Sequence, residues 1–168
     1  MPEIFRAVRS GVEVRLDSDQ DLLLRHVAGE LLGVLGEPAE GPGASPGLDR
    51  LFPRAYLDPT EEKAEEDWQK MVHGDLLEVK RANGRSLLDD LDALAHGGGG
   101  ARGVLRVEQA EAWLGTLNDA RLVLGTRFEV DEEIDYSTLD PEDPEGAAKL
   151  TYGFLTYLTG ELVDALSD

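Results

Sequence analysis

The sequence predicts a mainly α-helical protein of the α+β class, a bundle of about five helices with a small N-terminal antiparallel β-hairpin. Apolar residues recur at helical spacing in several stretches, whereas strand-favouring residues fill one short N-terminal stretch. A length of 168 residues with 41% hydrophobic content is ordinary for one globular domain. We therefore expect a single domain over residues 1–168, with loops at 37–47, 96–103 and 129–145.

Residues 3–16 are predicted to form the hairpin. Ser10-Gly11 would supply its tight turn, because glycine tolerates the backbone angles that such turns need. The strand-favouring or apolar residues of this segment are Ile4, Val8, Val12, Val14 and Leu16. Val104–Val107 is too short for a helix, so a three-stranded sheet is the alternative that the sequence leaves open.

The first helix is predicted over about 18–36. Ser18 would cap it, with Asp21 three residues later in an acidic variant of the capping box. Its apolar residues at core spacing are Leu23, Leu24, Val27, Leu31 and Leu35. The prolines and glycines of 37–47 then favour a loop.

A second helix is predicted over about 59–82, starting at Asp58-Pro59. Asn83-Gly84 would break it, and Ser86 would cap a shorter helix that ends at the glycine run of 96–100, interpreted as a flexible linker. The predicted core positions of the longer helix are Ala64, Trp68, Met71, Val72, Leu76 and Val79.

Two further helices complete the predicted bundle. One spans 108–125 and stops at Gly125, and the last spans about 145–166. Between them, residues 129–145 contain nine acidic residues and no basic one, which is typical of a solvated loop. The 59–82, 108–125 and 145–166 helices are expected to hold the core together.

A formal charge of −19 is the strongest compositional signal. With 35 acidic and 16 basic residues, the chain opposes contact with nucleic acid and with anionic membranes. Basic proteins are the macromolecular partners that this charge favours, and solubility alone is the alternative explanation. No apolar run approaches the roughly 20 residues of a membrane span, and the N-terminus lacks the apolar centre of a signal peptide, so we expect a cytoplasmic protein.

No catalytic, metal or cofactor site is predicted. The chain has no cysteine, and His26, His73 and His96 fall on different elements without ligand spacing. In Gly43–Gly47 the serine is followed by a proline, which has no N–H for an oxyanion. The glycine-rich 96–103 stretch lacks the lysine of a phosphate-binding loop, and the paired acids lie in hydrated runs. We therefore expect a protein that is not an enzyme and has no cofactor.

Arg121 is the best single candidate for a specific role. Trp113, Leu117, Ala120 and Leu124 form an apolar stripe, and Arg121 falls on the same side of the helix. A buried guanidinium needs a partner, so Arg121 would form an internal ion pair or bind a partner's carboxylate. Arg127, just past Gly125, could do either, or bond the last carbonyls of the helix.

Two other groups of residues are candidates for interfaces. Tyr152 and Tyr157 could belong to a homodimer surface. Arg6, Arg9 and Arg15 on the hairpin, with Arg25 nearby, are the concentrated candidates for contact with DNA. Alternation along the strands puts Arg6 on the face opposite to Arg9 and Arg15, unless twist or a bulge regroups them.

Two motifs, Trp113–Val130 and the tail Thr151–Leu166, resemble an actinobacterial family classed as a domain of unknown function, which includes the oxidation-sensing transcriptional regulator AosR. The resemblance implies an intracellular regulator of oxidative-stress genes that works with transcription components such as a sigma factor. Redox-sensing members use cysteines, so that mechanism does not carry over to this chain.

Three hypotheses follow from the sequence. The first is a non-enzymatic regulatory protein that binds a protein partner, with formation of a homodimer as a further option. The second is a direct DNA-binding regulator that uses the hairpin arginines. The third is an enzyme whose site would be a deep pocket with convergent polar side chains.

Overall fold

The computed structural model describes residues 3–36, 51, 61–128 and 135–168, without the side chains of residues 65 and 68–73. The elements are, in chain order, β1 (Phe5–Val8), β2 (Gly11–Asp17), α1 (Ser18–Leu35), α2 (Glu62–Ala93), β3 (Ala95–Gly97), β4 (Gly100–Leu105), α3 (Val107–Arg127), a 3-10 helix (Tyr136–Thr138) and α4 (Pro144–Ser167). The predicted mainly helical fold with a small N-terminal antiparallel sheet is confirmed. The predicted loop at 37–47 lies outside the described residues.

The sheet has four antiparallel strands in the order β1-β2-β4-β3. The sequence predicts a two-stranded hairpin, with a three-stranded sheet as the alternative. Val8 pairs with Gly11, so the turn residues are Arg9 and Ser10 rather than Ser10 and Gly11. Gly11 has a φ of +146°, and a Cβ at this position would collide with the carbonyl oxygen of Leu105. Glycine is thus required here by the neighbouring strand.

The predicted loop at 96–103 was wrong, because this segment forms most of the β3–β4 hairpin. His96 pairs with Ala101 and Gly97 pairs with Gly100. The intervening Gly98 and Gly99 have φ angles of +60° and +82°, which a two-residue hairpin turn needs and which glycine adopts at little cost. The glycine run therefore builds a turn rather than a linker. Similarly, residues 136–138 of the predicted 129–145 loop form the 3-10 helix.

α2 is one continuous helix, so the predicted break at Asn83-Gly84 and the separate helix from Ser86 were also wrong. Gly84 is buried against α1, where an added Cβ would lie 2.9 Å from Leu32 Cδ2. Glycine here serves close helix packing, and this tertiary contact outweighs its low helix propensity. The predicted start at Asp58-Pro59 lies outside the part of the chain that the structure describes.

The ends of the other helices agree closely with the prediction. The cap of α1 is Asp17, not Ser18: the Asp17 carboxylate accepts from Gln20 N at 2.8 Å, and Gln20 Oε1 accepts from Asp17 N at 2.9 Å. α3 continues two residues beyond Gly125, and Asp143 caps α4 just before Pro144.

The core lies between the inner face of the sheet and the helices. Trp113 of α3 is fully buried and meets Phe5 of β1 edge-to-face, with ring centroids 6.2 Å apart. The indole Nε1 donates to Asp90 Oδ2 at 2.9 Å, which satisfies the polar edge of this side chain. Other fully buried side chains include Leu24, Leu31, Leu35, Leu87, Leu91, Leu105, Leu117, Leu155, Leu158 and Leu162.

Candidate partner-binding surfaces

In the part of α2 before Gly84, the described side chains of Leu76 and Val79 are exposed to solvent. No described side chain from Glu61 to Ala82 is buried, and the first buried positions of the helix are Gly84 and Leu87. Leu76 is 39% exposed and Val79 is 56% exposed, although the sequence predicts both in the core. The prediction was wrong for these two residues because helical periodicity identifies an apolar stripe but not what covers it. Ala64 is half-buried, and Trp68, Met71 and Val72 lie outside the described side chains.

This exposed segment is acidic on its outer side. The described acids that are exposed along it are Glu61, Glu62, Glu66, Asp67, Asp75 and Glu78. The two basic residues that follow, Lys80 and Arg81, contact the neighbouring helices instead of solvent. Lys80 Nζ lies 3.0 Å from both carboxylate oxygens of Asp119 on α3, and Arg81 donates to the Leu35 carbonyl at 2.6 and 3.1 Å. The helix is therefore held at Lys80 and Arg81 while Leu76 and Val79 face outward.

The Lys80–Asp119 pair was not predicted. Asp119 is 8% exposed, and burial raises the pKa of its carboxyl, an effect that the ammonium of Lys80 opposes. A sequence signal existed: Asp119 lies on the same arc of α3 as the buried Thr116, Ala120 and Val123, so it needed a partner from a neighbouring helix.

Arg121 is half-buried, as its position on the stripe predicts. Its Nη2 donates to Asn118 Oδ1 at 2.9 Å, and its Nε is buried without a hydrogen-bond partner. Among the described residues, no carboxylate oxygen lies within 4.0 Å of it. Both predicted roles of Arg121, an internal ion pair and binding of a partner's carboxylate, therefore stay predictions.

Arg127 lies at the mouth of a cavity between α1, α3 and α4. The guanidinium is 52% exposed, and its Nη1 is 4.0 Å from Glu30 Oε2. Glu30 is also 4.0 Å from His26 Nε2. The cavity has a volume of about 330 Å³, and its floor is apolar, formed by Val27, Leu31, Val34, Ala120, Val123, Ala148 and Leu155.

The two tyrosines proposed for a dimer surface have intramolecular contacts. Tyr152 is half-buried and lies so close to Gly125 that an added Cβ there would be 3.0 Å from its ring. Tyr157 is 42% exposed, and interaction of its phenol with the nearby Glu161 carboxylate raises the pKa of Tyr157. A homodimer through these side chains stays a prediction.

The hairpin arginines are arranged differently from the prediction. Because the turn holds two residues, Arg6 pairs with Glu13 across the strands, and Arg15 lies two residues beyond Glu13. Arg6 and Arg15 therefore share the solvent face, where both form ion pairs with Glu13, and the predicted opposition of these two residues was wrong. Arg9 lies in the turn, exposed.

Arg102 of β4 joins this face, which sequence reasoning missed because 96–103 was assigned to a loop. The register places Arg102 directly opposite Arg15. Both side chains line an open cleft of about 990 Å³ that is bounded by the Gly97–Gly100 turn. The two ion pairs lower the pKa of Glu13, with Arg6 the larger cause.

In the described parts of the chain, no group of three or more His, Cys, Asp or Glu residues could hold a metal ion. None of the helices there is long and apolar enough to cross a membrane. His96 is exposed on β3, and the side chain of His73 lies outside the description.

Comparison with known proteins gives one match. A family model described as "Domain of unknown function (DUF2017)" matches residues 2–166. No curated protein and no solved structure matches the chain.

Proposed function

The chain belongs to the DUF2017 family, and from this premise we propose that it is a non-enzymatic regulatory protein that acts by binding a protein partner. The observation that carries the proposal is the exposed pair Leu76 and Val79 on the acidic part of α2 that precedes Gly84. This part of the helix is the docking surface in the proposal.

The composition of this surface defines its partner. Covering an exposed apolar side chain with a partner favours binding, by about 1.5–3 kcal/mol for each side chain that becomes fully buried. Asp75 and Glu78 flank the pair and are exposed. The complementary partner is therefore a protein with an apolar groove that is rimmed by Lys and Arg, and its association is faster at low salt.

The proposal extends to the transcription machinery through the family resemblance noted above. A regulator with a net charge of −19 binds a basic surface of a sigma factor or of RNA polymerase more easily than it binds DNA. In this proposal the protein works inside the cell and leaves contact with the promoter to its partner.

The test uses purified RNA polymerase, with and without its sigma factor, and the full-length protein. Binding is measured by biolayer interferometry for the wild type, for Leu76→Gln/Val79→Gln, and for the control Leu22→Gln, which changes an apolar side chain that is 63% exposed on α1. We expect the double variant to weaken binding by about tenfold or more and the control to leave it unchanged.

Two outcomes contradict the proposal. One is the absence of wild-type binding to any transcription component at low salt. The other is an equal loss in the double variant and the control, which indicates a nonspecific effect. A gel shift by the protein alone at low salt, abolished by Arg6→Gln/Arg15→Gln, supports instead the alternative of direct DNA binding.

A further inference from the structure

The solvent face of the sheet places two arginines directly opposite each other, and one of them, Arg15, is ion-paired with Glu13. Arg15 of β2 and Arg102 of β4 are direct cross-strand partners, and both are exposed. Like charges at directly opposed positions of a sheet destabilise it. In a chain of net charge −19, such a pair is a local exception that suggests a recognition role.

The acid that pairs with Arg15 is already shared with a second arginine. Glu13 forms ion pairs with both Arg6 and Arg15. Among the described residues, no carboxylate oxygen lies within 4.0 Å of Arg102. Of the residues that line the cleft, Arg6, Arg15 and Arg102 carry three positive charges and Glu3, Glu13 and Asp17 carry three negative charges, so the excess of positive charge is local to the Arg15–Arg102 pair.

The surroundings of the pair have the shape of a ligand site. The cleft of about 990 Å³ is bounded on one side by the Gly97–Gly100 turn, whose lack of side chains leaves its backbone open to a ligand. That turn is fixed in place, because Ser18 N and Ser18 Oγ donate to the Gly99 carbonyl at 2.8 and 2.7 Å. Two other acids line the cleft: Asp17, whose carboxylate caps α1, and Glu3.

We propose that this cleft binds a small molecule that carries a pyrophosphate or two neighbouring phosphate groups, held between Arg15 and Arg102. Guanidinium groups donate paired hydrogen bonds that match phosphate oxygens, and a dianion between the two arginines removes their repulsion. The residues that line the cleft include no Phe, Tyr or Trp, and the imidazole of His96 is a single ring rather than a platform for successive bases, which favours a small ligand over single-stranded nucleic acid.

The test is isothermal titration calorimetry of the full-length protein with inorganic pyrophosphate at 0.15 M salt. Arg102→Gln removes one side of the pair, and Arg9→Gln is the matched control, an exposed arginine in the turn of the other hairpin that does not line the cleft. We expect measurable binding by the wild type and by Arg9→Gln, and about tenfold or greater weakening by Arg102→Gln.

Glu13→Gln provides a test in the opposite direction. It removes the acid that competes with the ligand for Arg6 and Arg15, so binding of pyrophosphate tightens by several-fold while a simple loss of structure would weaken it. The proposal is overturned if the wild type shows no heat of binding at millimolar pyrophosphate. It is also overturned if Arg9→Gln weakens binding as much as Arg102→Gln does, or if Glu13→Gln fails to tighten it.

Discussion

Glu161 Oε1, near the end of α4, lies 2.5 Å from the backbone nitrogens of both Ile4 and Phe5. One carboxylate oxygen thus accepts two N–H groups at the start of β1, 157 and 156 positions away in the chain. Ile4 and Phe5 are buried at 2% and 1% exposure, so these donors have little access to water. The last helix therefore fixes the first strand, which in turn holds Phe5 against Trp113.

Glu161→Ala should release this strand. Two part-buried N–H groups would lose a charged acceptor, so we expect the free energy of unfolding to fall by about 2–4 kcal/mol. Hydrogen exchange at Ile4 and Phe5 should accelerate more than at Val14 in the neighbouring strand. Glu145→Ala is the control on the same helix, because Glu145 forms only a surface pair with Lys149 and should cost less than about 1 kcal/mol.

The same substitution should lower the pKa of Tyr157. Interaction of the phenol with the Glu161 carboxylate is the largest cause that raises this pKa, with smaller contributions from burial and from the charges of Glu161 and Glu3. In Glu161→Ala the phenol should therefore ionise closer to its ordinary value of 10.0, measured by ultraviolet titration with Tyr157→Phe as the reference. An unchanged titration curve would show that the contact is absent in solution.

Removing Lys80 should destabilise the protein in a pH-dependent way. Lys80→Met leaves the Asp119 carboxylate buried without its counter-ion, which costs about 3 kcal/mol at neutral pH. Asp119 is an acid whose folded-state pKa is raised above 3.8, so its favourable contribution is full below that pH and is lost as the pH rises through the folded pKa. Since Lys80 opposes this rise, Lys80→Met should extend the loss to higher pH.

Chemical denaturation from pH 3 to pH 8 measures this effect, with Lys80→Met/Asp119→Leu as the control. The double variant removes both charges, so it should recover most of the stability and lose the pH dependence assigned to Asp119. A double variant as unstable as Lys80→Met would contradict the assignment of the cost to the unpaired carboxylate.

Local sequence signals predicted the helices better than the sheet. Proline, capping residues and apolar periodicity placed α1, α3 and α4 within one or two residues of their ends. Gly84 and the Gly97–Gly100 run were misinterpreted for the same physical reason. In both places glycine allows a close tertiary approach or a positive φ, and neither requirement can be distinguished from a helix break or a linker in one sequence.

The candidate site residues could be predicted where local periodicity determines burial, and not where strand register or tertiary packing determines it. The buried side of Arg121 follows from the periodicity of α3, and the structure finds it half-buried. Arg102 was missed because its strand was assigned to a loop, and the shared face of Arg6 and Arg15 depends on a turn register that spacing alone does not fix. Leu76 and Val79 form an apolar stripe in the sequence, but its exposure is a property of the fold.

Two glycines of α4 should respond differently to substitution by alanine. At Gly153 an added Cβ would lie 2.6 Å from Tyr136 Cε1, whereas at Gly160 no atom of the described residues outside the local helix backbone would lie within 4 Å of it. Gly160→Ala should stabilise the protein by up to about 1 kcal/mol through helix propensity. Gly153→Ala should displace the Tyr136 ring and fail to give this gain. Thermal unfolding of the two variants measures the contrast, and an equal stabilisation would contradict the packing of Tyr136 on α4.

The ion pairs on the sheet face should be visible in the titration of Glu13. The hydrogen bonds from Arg6 and Arg15 hold the pKa of this carboxyl below its ordinary value of 4.5, so its stabilising contribution is present above that value and lost as the pH falls through the lowered pKa. Arg6→Gln and Arg15→Gln should each raise the pKa of Glu13, measured by NMR of its side-chain carboxyl carbon. Arg6→Gln should have the larger effect, because its hydrogen bond is the larger cause.

Arg9→Gln should leave the pKa of Glu13 unchanged, and high salt should reduce the difference among the variants because Glu13 and both arginines are accessible to ions. A Glu13 that titrates identically in all four proteins would show that the shared ion pair does not persist in solution.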